Sequence, residues 1–380
     1  MKILLVVHYF APHIGGMETV VLKQAQSLAA KGHEVTIATS RPQKKALLSE
    51  AFAENITVKR FRSVNIIENR FGVTFPIISP SVLIWFLREI SRSDVVHIHD
   101  VFYMSSHMAA LACWFKRRHF FMTQHVAMVN HPSKLVMLIQ RGIYSLLGRL
   151  IFKRAVMVVA YNTNVRNFLL AEGVPSEKIL LTYNGIDTEY FKPLATSKAK
   201  VALRKKYELP VDKPIALFVG RLVPKKGFDL VCKAGSEDYT TLIVGGGDIP
   251  TSMKDLQNVL FFGPASPAQL QDLYRASDVF VFPAIGEMLT LVMQEAMASG
   301  LPVVTFDDDG YKEYDIDRRS IKFVERDENN IASAIRSILS DHGLRQKMSE
   351  YSRQLAVSRF SWSKNYQTEY AIYDEQGAEA

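Results

Sequence analysis

The feature that most restricts the fold of this chain is a rhythm of short apolar runs separated by helical stretches, and it occurs twice. The first series opens with KILLVVHYF (2–10) and continues through HEVTIATS (33–40), DVVHIHD (94–100), HFFMTQH (119–125) and AVMVVAYN (155–162). The second runs through PIALFVGRL (214–222), TTLIVGGG (240–247), VLFFG (259–263), DVFVFPA (278–284) and LPVVTFD (301–307). Near-continuous Val, Ile and Leu marks strands buried on both faces, and βαβα order implies a parallel sheet covered by helices on both sides. Two series imply two doubly wound, Rossmann-like α/β domains of similar size, which suits 380 residues at roughly 100–200 residues per domain. The polar stretch YNGIDTEYFKPLATSKAK (183–200) reads as the linker. One domain is then expected at 1–190 and the other at 191–359, with an aromatic-rich closing helix (360–380) rejoining the first.

Open α/β sheets take ligands at the carboxyl ends of their strands. Two such domains are expected to face each other across a cleft, so the loops after the strands carry the function. The first is APHIGGMETVV (11–21), where Gly15 and Gly16 lie between a strand and a helix. Glycines there let backbone N–H groups approach an anion at a helix N-terminus, although a plain tight turn explains them equally well. Neither the dinucleotide fingerprint G-x-G-x-x-G nor a P-loop occurs. In VGRLVPKKGFD (219–229), Arg221 and Lys226 flank a strand end and a helix start, an arrangement suited to clamping a diphosphate. In IVGGGD (243–248), a base or ribose has room to lie against the backbone at Gly246, although a flexible turn explains the glycines equally well. In AIGEMLTLVMQEAMASG (284–300), Glu287 falls in a loop. Glu295 falls about one turn into a helix that Thr290 caps and Gly300 ends. A half-buried helical carboxylate needs donors, and sugar hydroxyls are suitable ones.

These loops, with TYNGIDTEYFKP (182–193) and the closing FSW, resemble in order and over nearly the whole chain the retaining glycosyltransferases of family 4, which have the GT-B fold. The resemblance implies transfer of a sugar from a nucleotide-sugar donor to an acceptor hydroxyl, with retention of configuration and without a metal or other cofactor. It implies that Gly15 and Gly16 approach the donor diphosphate, and that Arg221 and Lys226 hold it as it leaves. Glu295 would accept from the ribose. Glu287, with the backbone N–H groups of Leu289, Thr290 and Leu291, would hold the transferred sugar. His125 matches the family's first-domain histidine beside the reacting sugar. Two departures stand out. Met288-Leu289-Thr290 replaces the usual Gly-Phe-Gly, and Asp307-Asp308-Asp309 stands near a usual Gly-Gly turn. The aspartate run is read as a solvated turn, not a metal site.

Charge points to the acceptor side. Residues 1–190 carry 22 Lys and Arg against 12 Asp and Glu, and residues 101–171 carry nine basic residues and no acid. Within SKLVMLIQRGIYSLLGRLIFKR (133–154), Lys134, Arg141, Arg149 and Lys153 recur at helical spacing among aliphatics. With WFKRRHFF (114–121), this suggests a glycan or lipid-linked acceptor at an anionic membrane, although a helix packed by its apolar side on the first domain with a charged outer side explains the pattern equally well. Nucleic acid is not expected, because the aromatics do not interleave with the charges. Cys113 and Cys232 stand far apart in apolar surroundings, and no run reaches the ~18 residues of a membrane span. A cytoplasmic enzyme, peripheral on the inner membrane face and building a cell-surface glycan, is the expectation. The alternatives are a nucleotide-sugar-binding protein without transfer activity and a GT-B epimerase.

Overall fold

The computed structural model describes residues 1–13, 15–41, 47–64, 77–128, 134–183, 185–285, 289–306, 311, 316 and 321–377. Contacts divide the chain into two compact units, Met1–Asn184 with Asn365–Ala380, and Gly185–Lys364.

Unit 1 is built on an eight-stranded sheet in the order β10-β9-β8-β7-β1-β2-β4-β3. Its strands are β1 (Lys2–Val6), β2 (Glu34–Ser40), β3 (Ser49–Ala53), β4 (Ile56–Phe61), β7 (Val95–His99), β8 (Phe121–Gln124), β9 (Val158–Ala160) and β10 (Ile179–Leu181). All pairings are parallel except β3 with β4. A separate antiparallel pair joins β5 (Ser63–Val64) to β6 (Ile77–Ile78). Leu4, Val6, Val96, Ile98 and Met122 sit in one core with Phe86, Ile90 and Phe152 from the covering helices. That placement follows from burial of the central strands on both faces.

The closing helix, Trp362–Gly377, carries its aromatic residues for a structural reason. In unit 1, Tyr366 Oη donates to Val20 O at 2.9 Å and Tyr370 Oη to Gln24 O at 3.4 Å, both on the first helix, Gly16–Ala30. Gln24 Nε2 donates in turn to Glu369 Oε2 at 2.9 Å. Burial pushes the Glu369 carboxyl up to about 8, with Gln24 and Tyr161 pulling it back. Tyrosine supplies both apolar area and a hydroxyl for a helix end that must be buried against another helix.

Unit 2 has a six-stranded, wholly parallel sheet in the order β13-β12-β11-β14-β15-β16. The strands are β11 (Ile215–Val219), β12 (Thr240–Val244), β13 (Val259–Gly263), β14 (Val279–Phe282), β15 (Val303–Phe306) and β16 (Lys322–Val324). Part of the stretch read as a polar linker is instead anchored here. Ile186 and Phe191 are buried, and Ile186 bridges Ser361. Arg353 Nη1 lies 2.9 Å from the carbonyls of Thr188, Phe191 and Ala298. A polar composition hid a segment whose backbone carbonyls are held by one guanidinium. Both cysteines are free and buried.

Candidate functional site

In unit 2 the predicted residues Arg221, Lys226, Gly246 and Glu295 follow β11, β12 and β14, which are neighbours in the sheet. Arg221 stands at the first of these, exposed. The chain then makes a single 3₁₀ turn, Pro224–Lys226, and enters a short helix, Phe228–Lys233, through Gly227 at φ 75°. A Cβ on Gly227 would lie 2.6 Å from Pro283 O, so this position takes only glycine. Lys226 Nζ lies 5.3 Å from the centroid of the Phe282 ring, and Ile285 N donates to Lys225 O at 3.1 Å. The clamp loop and the loop after β14 are therefore packed together.

The glycine run after β12 has its own cause. Gly220 N donates to Val244 O and Leu222 N to Gly246 O, each at 2.9 Å. A Cβ on Gly245, at φ 147°, would lie 1.8 Å from Gly220 O. On Gly247, at φ 144°, it would lie 2.8 Å from Leu222 Cβ. Gly245 and Gly247 thus let two loops meet backbone to backbone, while a Cβ on Gly246 would meet only Pro264 Cγ at 3.6 Å.

Of the two carboxylates Glu287 and Glu295, Glu287 lies outside the described residues, as do Met288 and the run Asp307–Asp309. Leu289 is buried and holds φ 43°. Left-handed backbone at a branched side chain costs roughly 1–2 kcal/mol, and the Leu289 carbonyl is fixed by Gln294 Nε2 at 2.7 Å. Thr290 is the N-cap of the helix Leu291–Ala298, but its side chain makes no capping bond. Its Oγ1 is buried without a partner among the described residues. Leu291 is exposed at the first turn. Glu295, half-buried, accepts from Tyr274 Oη at 2.9 Å. Burial pushes its carboxyl up to about 7, against the pull of that hydroxyl.

Arg326 has no counterpart in the sequence reading. Its Nη2 donates to Pro224 O at 2.8 Å and its Nε to Pro283 O at 3.2 Å. It staples the clamp loop to the loop after β14. A lone arginine between Glu325 and Asp327 gives no signal of that task in one dimension.

In unit 1, Gly15 is the extended N-cap of the first helix and Gly16 its first residue. A Cβ on Gly15 would lie 2.3 Å from Glu18 Oε2, whereas nothing lies near one on Gly16. Glu18 pairs with His13 at 2.6 Å. His125, partly exposed, follows β8 and is bound through Nε2 to His99 Nδ1 at 3.0 Å. Burial pushes His125 down to about 3, so its ring is uncharged near neutral pH. Among the described residues no group of three or more His, Cys, Asp or Glu is placed to hold a metal. No described helix is long and apolar enough to cross a membrane.

Comparison with known proteins identifies the family and the fold. Residues 14–190 match the family described as Glycosyltransferase Family 4, and residues 200–355 match Glycosyl transferases group 1. A D-inositol 3-phosphate glycosyltransferase of Xylanimonas cellulosilytica is 27% identical over 92% of this chain and 89% of its own. Anabaena HepE, solved in complex with UDP-glucose, superposes with TM-score 0.66 at 17% identity, over 100% of this chain and 98% of its own. The lipopolysaccharide outer core galactosyltransferase WaaB superposes with TM-score 0.63 at 17% identity, over 99% of this chain and 100% of its own. The chain belongs to family 4 of the glycosyltransferases, retaining and metal-independent enzymes of GT-B fold that transfer a sugar from a nucleotide-sugar donor.

Proposed function

We propose that the enzyme transfers its sugar to a lipid-linked or membrane-proximal glycan acceptor, as a step in building a cell-surface polysaccharide at the cytoplasmic face. The observation that carries this reading is a helical surface of unit 1. The segment Lys134–Gly142 continues through a π-helix, Ile143–Gly148, into Arg149–Arg154. Along it Leu138, Leu146 and Leu150 are 68%, 70% and 62% exposed, and Ile139 and Leu147 are also exposed. Arg141, Lys153 and Arg154 are exposed on the same segment, and the Arg154 guanidinium sits 4.9 Å from the centroid of the exposed Trp114 ring. Arg149 is paired with Glu172 at 3.0 Å, so the basic stripe is narrower than the sequence alone suggests. Leucines open to solvent beside arginines and lysines match the interface of an anionic bilayer. The lipopolysaccharide assignment of WaaB is in keeping with such an acceptor.

The protein is expected to sediment with phosphatidylglycerol vesicles at low salt and to be released as ionic strength rises. Leu146→Ser with Leu150→Ser should lower that partition severalfold. Equal recovery with neutral phosphatidylcholine vesicles, or no effect of the double substitution, would contradict the membrane reading.

In the same proposal, Arg221 and Lys226 hold the donor diphosphate, and Glu295 accepts from the ribose hydroxyls. Glu287 and the backbone from Leu289 to Leu291 hold the sugar, His125 lies beside it, and Gly15 and Gly16 approach the diphosphate. Glu18 stands against Gly15, so that approach needs its carboxylate kept on His13. The departing diphosphate takes the acceptor proton while the acceptor oxygen attacks the same face of the sugar carbon. The protein's part is then positioning and charge stabilisation. The Glu295 placement has a pH signature. The carboxylate accepts from hydroxyls with both oxygens, whereas protonation turns one of them into a donor, and with a titration near 7 the carboxylate goes from a small minority at pH 6 to the large majority at pH 8. Nucleotide affinity measured by calorimetry should rise up to roughly tenfold over that range. Glu295→Gln should flatten the dependence, and an unchanged slope in the variant would remove Glu295 from the ribose.

A further inference from the structure

Three imidazoles form a column at the ends of β7 and β8. His97 and His99, two residues apart on one face of β7, stack at 4.7 Å with their planes 16° apart. His97 is pinned on both sides. Its Nε2 lies 2.7 Å from Thr123 Oγ1, and its Nδ1 meets the hydroxyl of Tyr373 on the closing helix. His99 Nδ1 faces His125 Nε2 at 3.0 Å. The other nitrogen of His99, Nε2, is buried and has no partner among the described residues.

A neutral imidazole has one N–H and one bare nitrogen, so the bond between His99 and His125 can be assigned in two ways. With the proton on His99 Nδ1, that ring donates to His125 Nε2. The orphaned buried atom is then a bare acceptor, and His125 carries its proton on Nδ1. In the reverse arrangement His99 must bury an N–H with no acceptor. Orphaned buried donors are the rarer of the two in folded proteins. A doubly protonated ring does not rescue the reverse case near neutral pH. Burial, with His97 and His125 adding to it, holds His99 well below the ordinary histidine range.

We propose that His99 is a positioning residue that fixes His125 as its Nδ1–H tautomer, so that His125 offers the bound sugar a hydrogen-bond donor and not an acceptor. The last clause rests on the reading of His125 as sugar-facing, and the tautomer itself does not. It also makes a definite demand on the donor, a hydroxyl oxygen free to accept at that position.

Long-range proton–nitrogen correlation spectra of the full chain labelled with ¹⁵N-histidine test this at pH 7, with His125 assigned by its loss in His125→Gln. The expected result is a protonated Nδ1 and a bare Nε2 on His125. His99→Phe should shift His125 toward the Nε2–H tautomer and lower kcat by roughly tenfold, the scale of one hydrogen bond. His99→Asn, whose amide N–H falls near the lost Nδ1, should restore both. An Nε2–H signal for His125 in the wild type, or an unchanged tautomer in His99→Phe, would overturn the proposal. If His99→Phe does not fold, the wild-type spectrum decides. Full turnover in His125→Ala, with the tautomer as expected, would remove the sugar-facing clause and leave the assignment of His99 standing.

Discussion

Arg221→Ala is expected to lower kcat by about 10²–10³-fold, the range found when one preorganised group that stabilises developing charge is removed. Negative charge grows on the diphosphate as the glycosidic bond breaks, so a cation held there is worth more in the transition state than in the ground state. Arg221 is suited to that task because it stands exposed at the end of β11. The loop behind it is fixed by Gly227 against Pro283 and by the Arg326 staple. Arg221→Lys should recover only part of the loss, since a lysine offers a point charge and not a planar fork. The check is steady-state kinetics with the donor varied. A fall in kcat with little change in KM identifies a group acting in the transition state, and near-normal turnover would remove Arg221 from the clamp.

The second large effect is on stability. Gly245→Ala should destabilise unit 2 by roughly 2–4 kcal/mol, because strained backbone and a blocked close approach act together. A Cβ at this residue would overlap Gly220 O, and the φ of 147° is one that side chains rarely adopt. Relief requires the loop at 245–247 to move away from 220–222, which breaks the bond from Leu222 N to Gly246 O. Arg221 lies between those two contacts, so nucleotide affinity should fall along with the melting temperature. Gly246→Ala is the internal control. Its Cβ has room, and the change should cost well under half as much in a thermal melt. Equal melting temperatures for Gly245→Ala and wild type would show that the two loops are not held by this contact.

Much of this was legible in one dimension. Nine of the ten long apolar runs became interior strands, because burial on both faces leaves a signal that needs no partner to read; the tenth, VLFFG, became β13 at a sheet edge. Strands β3 and β4 gave less. β3 pairs antiparallel at the sheet edge, and four of its five residues are exposed. β10 and β16 are three residues each, too short for periodicity to register. The candidate residues of the proposed site followed the same division. Arg221, Lys226 and Glu295 could be picked out because charge beside a strand end or inside an apolar helix is unusual. The glycine run after β12 read as a place for a ligand at Gly246, whereas the immediate cause of Gly245 and Gly247 is the backbone of 220–222. The left-handed Leu289 was invisible, since a leucine announces no positive φ. His99 was equally silent. Its meaning lies in a contact with His125, 26 residues away, and only the parallel neighbours β7 and β8 bring the two together.

The measurement that bears most directly on the account is calorimetric titration with UDP, GDP and ADP of the wild-type enzyme and of the Arg221→Ala, Lys226→Ala double variant. The account predicts that at least one nucleoside diphosphate binds the wild type and that the double variant binds it at least tenfold more weakly, with its melting temperature unchanged. Binding of equal strength to both proteins, or no binding of any of the three to the wild type, would contradict it.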